Sequence, residues 1–175
     1  MRALALALGV LALSVTSAGA GSSTPSTWHR YRADGVSIRY PRGWHATRHP
    51  LTHVVDPTQV LAVASYPLPR DSSGADGCEP KEALDRRPPN GVFIYGWEYS
   101  SLNPSGLRAR DFPPRPKRFT LTGFAHYECS ELGYMARFRE AGRLFQIHID
   151  FGPRASRATR RTALRILDSL QVASG

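Results

Sequence analysis

The sequence predicts an α+β domain in which an antiparallel β-sheet is covered by helices and long loops. Three observations carry this prediction: short segments with period-two alternation of apolar residues, two strands that are apolar on both sides, and one amphipathic helix near the carboxyl end. Strands with two apolar faces usually lie in the middle of a sheet with each face covered. The expected architecture is therefore layered, similar to an α/β/α sandwich.

Residues 1–20 have the pattern of a cleavable secretory signal peptide. Arg2 gives a positive start, residues 3–15 form an apolar run, and Ala18 and Ala20 supply the A-x-A cleavage spacing. The run is shorter than the roughly 20 apolar residues that span a bilayer. We therefore expect cleavage after Ala20 and no transmembrane anchor in the mature protein. The expected location is secreted or extracytoplasmic, which includes association with the cell envelope.

The next elements are a tether and a hairpin. Residues 21–27 are rich in Gly, Ser, Thr and Pro, a composition that predicts a flexible tether. Residues 28–175 are long enough for a single globular domain. The Asp34-Gly35 pair separates two alternating segments, residues 28–32 and 36–40, and this arrangement predicts a β-hairpin.

Residues 60–66 and 92–99 are the two strands that are apolar on both sides. In the second, Phe93, Tyr95, Trp97 and Tyr99 line one face at period two. Such a row could stack on sugar rings, but in an apolar strand it is more typical of a core. We expect these rings to be buried.

Residues 133–151 predict a long hairpin that turns at residues 140–143. An even register would pair Phe138 with Phe145, Ala136 with Ile147, and Tyr134 with Ile149. A slip of one residue would scramble this sorting of apolar side chains. The even register leaves a polar face formed by Arg137, Arg139, Gln146, His148 and Asp150, and we expect His148 and Asp150 to be ordinary solvated strand residues.

The last predicted element is a helix over residues 157–170, after which residues 171–175 either add a short strand or fray. Ser156 is a suitable N-cap for this helix. Its apolar stripe is formed by Ala163, Leu164, Ile166, Leu167 and Leu170. Four arginines lie off the stripe: Arg157, Arg160, Arg161 and Arg165.

Two long connections, residues 67–90 and 100–118, interrupt the pattern. Connections of this length in a compact domain are either functional or disordered. The first holds Cys78 and has the pattern of a short helix in residues 81–87. With Cys129, Cys78 completes an even cysteine count in an exported chain, which predicts a disulfide worth about 4 kcal/mol.

The segment Asp-Gly-Val-Ser-Ile-Arg-Tyr-Pro-Arg-Gly-Trp at residues 34–44 resembles the opening of PsbP-like domains, with an aromatic-Pro-x-Gly-Trp turn after a strand. Residues 163–172 resemble the closing helix and strand of that family. The resemblance covers these two ends, whereas the cysteine pair and both long connections depart from the family pattern. It implies an antiparallel sheet sandwiched with helices, and an accessory or adaptor role without catalysis.

Charge gives the leading hypothesis on function. The formal net charge is +9 at pH 7, and the only lysines are Lys81 and Lys117, so arginine dominates. Genome composition would produce the same bias. Arginine favours bidentate contacts with carboxylates and phosphates, which in an exported protein means an anionic envelope polymer or an acidic protein and not nucleic acid. One segment stiffened by prolines contains a single acidic residue, Asp111, and five basic residues: Arg108, Arg110, Arg115, Lys117 and Arg118.

Two rival hypotheses involve histidine. His45, His49 and His53 recur every four residues, a spacing that would suit zinc on a helix, but Pro50 would break that helix. His148 and Asp150 share a strand face, with Glu128 as a further carboxylate, and could serve a hydrolase-like extracytoplasmic enzyme. Motifs for phosphate, dinucleotide or zinc-protease chemistry are absent. We therefore expect a non-catalytic accessory or binding protein without a cofactor.

Overall fold

A computed structural model describes residues 27–70, 78 and 80–174. The predicted signal peptide lies outside these residues, as does the predicted tether apart from Thr27. The described strands form two antiparallel sheets, a three-stranded sheet of order β1-β2-β9 and a six-stranded sheet of order β3-β4-β5-β8-β7-β6. The strands are β1 Trp28–Ala33, β2 Val36–Pro41, β3 His45–Ala46, β4 Thr58–Ala64, β5 Val92–Tyr99, β6 Ala125–Tyr127, β7 Gly133–Glu140, β8 Arg143–Phe151 and β9 Gln171–Val172.

The described helices are α1, Lys81–Asp85, and α2, Arg157–Asp168, together with two single 3₁₀ turns, Ala109–Asp111 and Leu121–Gly123. The Ser156 hydroxyl accepts a hydrogen bond from the Thr159 amide, so the predicted N-cap of α2 is confirmed. The helix ends two residues before the predicted end, and the chain then adds β9 to β2 through Val36 and Val172. None of the described helices has the length and apolar character needed to cross a membrane.

Both predicted hairpins are confirmed, including the register of the longer one. Phe138 pairs with Phe145 across β7 and β8, and the pairing continues in the even register. Two residues with positive φ close each turn, Asp34-Gly35 in the first hairpin and Ala141-Gly142 in the second. Turns of this kind match the right-handed twist of the flanking strands, which fixes the register.

The two strands predicted to be apolar on both sides lie inside the larger sheet, as expected. One face of that sheet packs under α2 and the smaller sheet, with Ile94, Ile147 and Ile149 among its fully buried residues. The row of aromatic residues on β5 lies on the opposite face and is core, since Phe93 and Tyr95 are completely buried. The second face is thus a separate apolar cluster.

The long connections supply most of the cover for this second face. Leu51 comes from the connection between β3 and β4, and Ala83 is the buried residue of α1. Phe112 packs on Tyr99 from the connection after β5, with ring centroids 5.5 Å apart. The predicted disulfide joins Cys78 to Cys129, with the two Cα atoms 5.4 Å apart, so the first connection is held covalently to the turn between β6 and β7.

Candidate functional site

The segment of residues 108–118, here called the basic segment, is an ordered part of the sheet edge. Pro114 forms an isolated parallel bridge with Arg139 of β7. The Arg115 amide donates to the Arg139 carbonyl at 3.1 Å, and the Arg139 amide donates to the Pro113 carbonyl at 2.8 Å. The segment therefore has a defined position beside β7.

Four of the five predicted binding residues are exposed: Arg108, Arg110, Lys117 and Arg118. Within the described part of the chain, none of these four forms an ion pair with a carboxylate. The nearby Asp111 is used locally, because its Oδ2 accepts a hydrogen bond from the Arg108 amide at 2.7 Å. These four cations are available to a partner.

Arg115 has a different role from its neighbours. Its Nη1 lies 3.0 Å from Oε2 of Glu140, and its guanidinium stands over the Phe119 ring at 5.6 Å from the centroid. Only 17% of its side chain is exposed. Arg115 thus anchors the basic segment to the β7–β8 hairpin and is a poor candidate for partner binding.

A further exposed cation joins the segment from the sheet. The Arg139 Nη1 donates to the Ala109 carbonyl at 3.1 Å, which places this guanidinium beside the 3₁₀ turn that carries Arg110. Arg139 was predicted only as a member of the polar face of the hairpin. Nothing in the spacing of the sequence indicated that residues 113–115 would align with β7.

The basic segment is also joined to α2. The Phe119 amide donates to Asp168 Oδ1 at 2.8 Å, so the chain just after the segment contacts the last turn of the helix. Two helix arginines lie over aromatic rings, Arg160 over Phe151 at 4.9 Å and Arg165 over Trp28 at 5.3 Å. Their cation–π contacts give these two arginines a structural use.

A groove of about 270 Å³ adjoins the basic segment and is called here the proline groove. Its lining residues include prolines of the segment, two aromatic residues and two residues of β7. The groove is lined by Pro113, Pro114, Pro116, Arg118, Phe119, Thr120, Gly123, Phe124, Ala136 and Arg137. It combines apolar surface with two guanidinium groups.

The polar face of β8 is buried, so the expectation that His148 and Asp150 are solvated was wrong. Gln146 is 7% exposed, His148 1% and Asp150 0%. The physical reason is the cover described above, since connections between the strands fold over this face. Arg137 is half-buried and Arg139 is exposed.

His148 lies in an aromatic slot with a fixed tautomer. Its ring stacks on Tyr95 at 4.5 Å and meets Tyr127 edge-on at 4.4 Å. The Arg137 Nε donates to Gln146 Oε1 at 2.8 Å, so the Gln146 amide group donates to His148 Nε2, also at 2.8 Å. An Nε2 that accepts a hydrogen bond belongs to a neutral imidazole. Burial, reinforced by the charge of Arg137, lowers the pKa of His148 to about 3.

Asp150 is the second buried titratable group of this face. Its Oδ1 accepts from Nη1 of Arg87 at 3.2 Å, and the same Nη1 donates to the Ser130 hydroxyl at 3.2 Å. Burial raises the pKa of Asp150, and the hydrogen bond from Ser130 and the charge of Arg87 oppose that shift. Arg87, which follows α1, was not singled out in the sequence.

These buried groups are poorly placed for catalysis. A general base must come within hydrogen-bond reach of the proton it abstracts, directly or through one water molecule. His148 and Asp150 are enclosed by protein, and Glu128 is exposed on the turn that carries Cys129. The arrangement fits a polar network that ties the long connections to the sheet.

The three histidines with four-residue spacing are exposed and do not share a helix. His45 lies in the short strand β3, and His49 and His53 lie in the connection that follows it. The residues that the structure describes contain no group of three or more His, Cys, Asp or Glu side chains able to hold a metal ion.

Comparison with known proteins finds no matching protein family, curated protein or solved structure. The proposals below therefore rest on the geometry of this chain and on its sequence.

Proposed function

We propose that this protein is a non-catalytic, exported accessory protein that docks electrostatically on an anionic partner, either an envelope polymer or an acidic protein. The observation that carries this proposal is the set of exposed cations on and beside the basic segment. Arg108, Arg110, Lys117, Arg118 and Arg139 have no carboxylate partner among the described residues. All five belong to the basic segment or to β7, the strand to which the segment bonds.

The anchoring of the segment favours binding. Flexible side chains and loops lose entropy when a partner orders them, and a pre-ordered segment avoids part of that loss. Here the backbone bonds to Arg139, the Arg115–Glu140 ion pair and three prolines hold the segment before any partner arrives. Docking is expected to need little rearrangement.

Two sequence features support an extracytoplasmic location and an accessory role. The predicted signal peptide implies export, and a disulfide is compatible with an oxidising extracytoplasmic location. The resemblance to PsbP-like domains, with the helix-covered sandwich that it implies, favours an adaptor role. The hydrolase-like and metal-binding alternatives are weaker, because His148 and Asp150 are buried and His45, His49 and His53 do not lie on one helix.

Removal of the four exposed charges of the segment tests the proposal. We expect the variant with Arg108, Arg110, Lys117 and Arg118 all changed to Ala to bind labelled polyglutamate or poly(glycerol phosphate) about 10- to 100-fold more weakly, which corresponds to about 0.35–0.7 kcal/mol for each of four exposed ion pairs. Fluorescence anisotropy at low and high salt measures the effect. Wild-type affinity should fall with salt, and the dependence should be shallower in the variant.

The control removes the same charge elsewhere. Arg42, Arg48, Arg70 and Arg154 are exposed and form no ion pair with the described residues. Changing these four to Ala should weaken binding by less than about 3-fold, through net charge alone. An equal loss in the two variants would show that binding follows net charge and not the basic segment.

A further inference from the structure

The outer edge of β7 has an unpaired peptide group beside the proline groove. The amide and carbonyl of Arg139 both bond to the basic segment, so they point away from β8. In a β-strand every second residue directs its backbone groups to the same side. The amide and carbonyl of Arg137 therefore point to this outer edge as well.

Arg137 lies in a gap between two partners of β7. β6 pairs with β7 only up to Met135, which lies opposite Ala125. The hydrogen bonds between β7 and the basic segment are made by Arg139. Within the described residues, neither the amide nor the carbonyl of Arg137 has a backbone hydrogen-bond partner on this edge. The gap therefore leaves the Arg137 N–H as a donor and the Arg137 carbonyl as an acceptor, arranged as on the edge strand of a sheet.

The proline groove is located at this gap. Ala136 and Arg137 line it from β7, and Phe119 and Phe124 are its aromatic lining residues. Arg118 is exposed at the groove and forms no ion pair with the described part of the chain. The groove therefore combines an unpaired strand edge, apolar side chains and a guanidinium group.

We propose that the proline groove binds a short extended segment of an acidic protein. This proposal rests on the proposed function and names the class of partner, an acidic protein. The main chain of the peptide bonds to the Arg137 amide and carbonyl, and a carboxylate of the peptide pairs with Arg118. Addition of an extended peptide to a sheet edge draws its affinity from such main-chain bonds and its selectivity from the neighbouring pockets.

The edge favours a peptide over a polymer of phosphate. A glycerol phosphate polymer supplies acceptors for Arg118 and for the Arg137 amide, and its glycerol hydroxyls can donate, but its backbone does not present a donor and an acceptor together at the spacing of a β-strand. A peptide supplies both a donor and an acceptor at each residue. The groove should therefore distinguish the two kinds of polyanion, whereas the exposed cations alone attract both.

Gly123 offers a way to fill the groove without a change of charge. A Cβ built on Gly123 meets only the Thr120 hydroxyl oxygen, at 3.6 Å, which is an ordinary contact. Gly123→Leu therefore introduces an apolar side chain at the groove. Thr122→Leu is the matched control, because the exposed Thr122 lies next to the groove without lining it.

The test compares binding of labelled polyglutamate and of labelled poly(glycerol phosphate) to the full mature chain. We expect Gly123→Leu to weaken polyglutamate binding at least 10-fold, with poly(glycerol phosphate) binding and the Thr122→Leu variant close to wild type. Amide hydrogen exchange of Arg137 in the wild-type protein should slow when polyglutamate binds.

Polyglutamate that binds Gly123→Leu as it binds wild type would overturn the groove proposal, and so would unchanged exchange at Arg137. If the four-charge variant still loses binding in that case, the proposed function stands and only the groove is wrong. If neither variant loses binding, both proposals fail. Should Gly123→Leu fold poorly, the exchange measurement on the wild-type protein decides the question.

Discussion

Arg87→Ala is expected to destabilise the folded protein by about 3–5 kcal/mol, because it leaves the buried carboxylate of Asp150 without its cation. Asp150 is completely buried, and the Arg87 side chain is only 16% exposed. The loss should be largest near neutral pH, where Asp150 must either stay charged in an apolar setting or take up a proton. Urea denaturation followed by circular dichroism measures the change.

The neighbouring Arg86 gives the control for this experiment. Its ion pair with Glu82 is on the surface, where 60% of the Arg86 side chain is exposed. Arg86→Ala should therefore cost less than about 1 kcal/mol. In the Arg87→Ala background, Asp150→Asn should recover part of the lost stability, since it removes the uncompensated charge. Equal effects of Arg86→Ala and Arg87→Ala would contradict the buried network.

Acidification is expected to remove up to about 5 kcal/mol of stability through His148. Its pKa is about 3 in the folded protein, against 6.5 for an unperturbed histidine. Between these values the unfolded chain binds the proton and the folded protein does not. The contribution of His148 is therefore complete above about pH 6.5 and is lost as the pH falls towards 3.

The surroundings of His148 explain why stability falls at low pH, and Asp150 opposes this fall. Protonation of His148 at Nε2 would place an N–H group opposite the N–H of the Gln146 amide, which now donates to that nitrogen. The hydrogen bond between them would be lost. Asp150 acts in the other direction. Since burial raises its pKa, the folded protein takes up this proton before the unfolded chain does, which adds stability as the pH falls.

Urea denaturation between pH 4 and 7 measures the dependence. His148→Phe keeps a ring between Tyr95 and Tyr127 but cannot titrate, so its stability should fall less steeply towards low pH. The exposed His45 serves as the control, and His45→Gln should retain the wild-type pH profile. Wild type and His148→Phe that lose stability equally between pH 6.5 and 4 would contradict a neutral, buried His148, since the contribution of Asp150 is common to both proteins.

Local patterns were sufficient to predict the elements that depend on neighbouring residues. The Asp34-Gly35 turn, the register that joins Phe138 to Phe145 and the Ser156 cap are set by a few adjacent side chains, and all three are confirmed. The disulfide between Cys78 and Cys129 was predictable from the even cysteine count and the predicted export signal.

Features that depend on distant parts of the chain were not predictable. Period-two alternation indicates which side chains share a face, but not whether a loop covers it. His148 and Asp150 were therefore expected to be solvated, whereas both are buried, with Tyr127 against His148 and Arg87 hydrogen-bonded to Asp150. The same limit applies to the basic segment, where only the fold shows that Arg115 is paired with Glu140 and that Arg139 lies beside the 3₁₀ turn of the segment.

Fractionation of the native producing cells tests whether the basic segment holds the mature protein on an anionic surface. We expect mature protein to stay with the envelope at low salt and to be released by a wash with about 1 M salt, where charges are screened beyond about 3 Å. The variant that lacks Arg108, Arg110, Lys117 and Arg118 should appear in the medium. Wild-type protein found free in the medium at every salt concentration would show that the basic segment does not dock on the envelope.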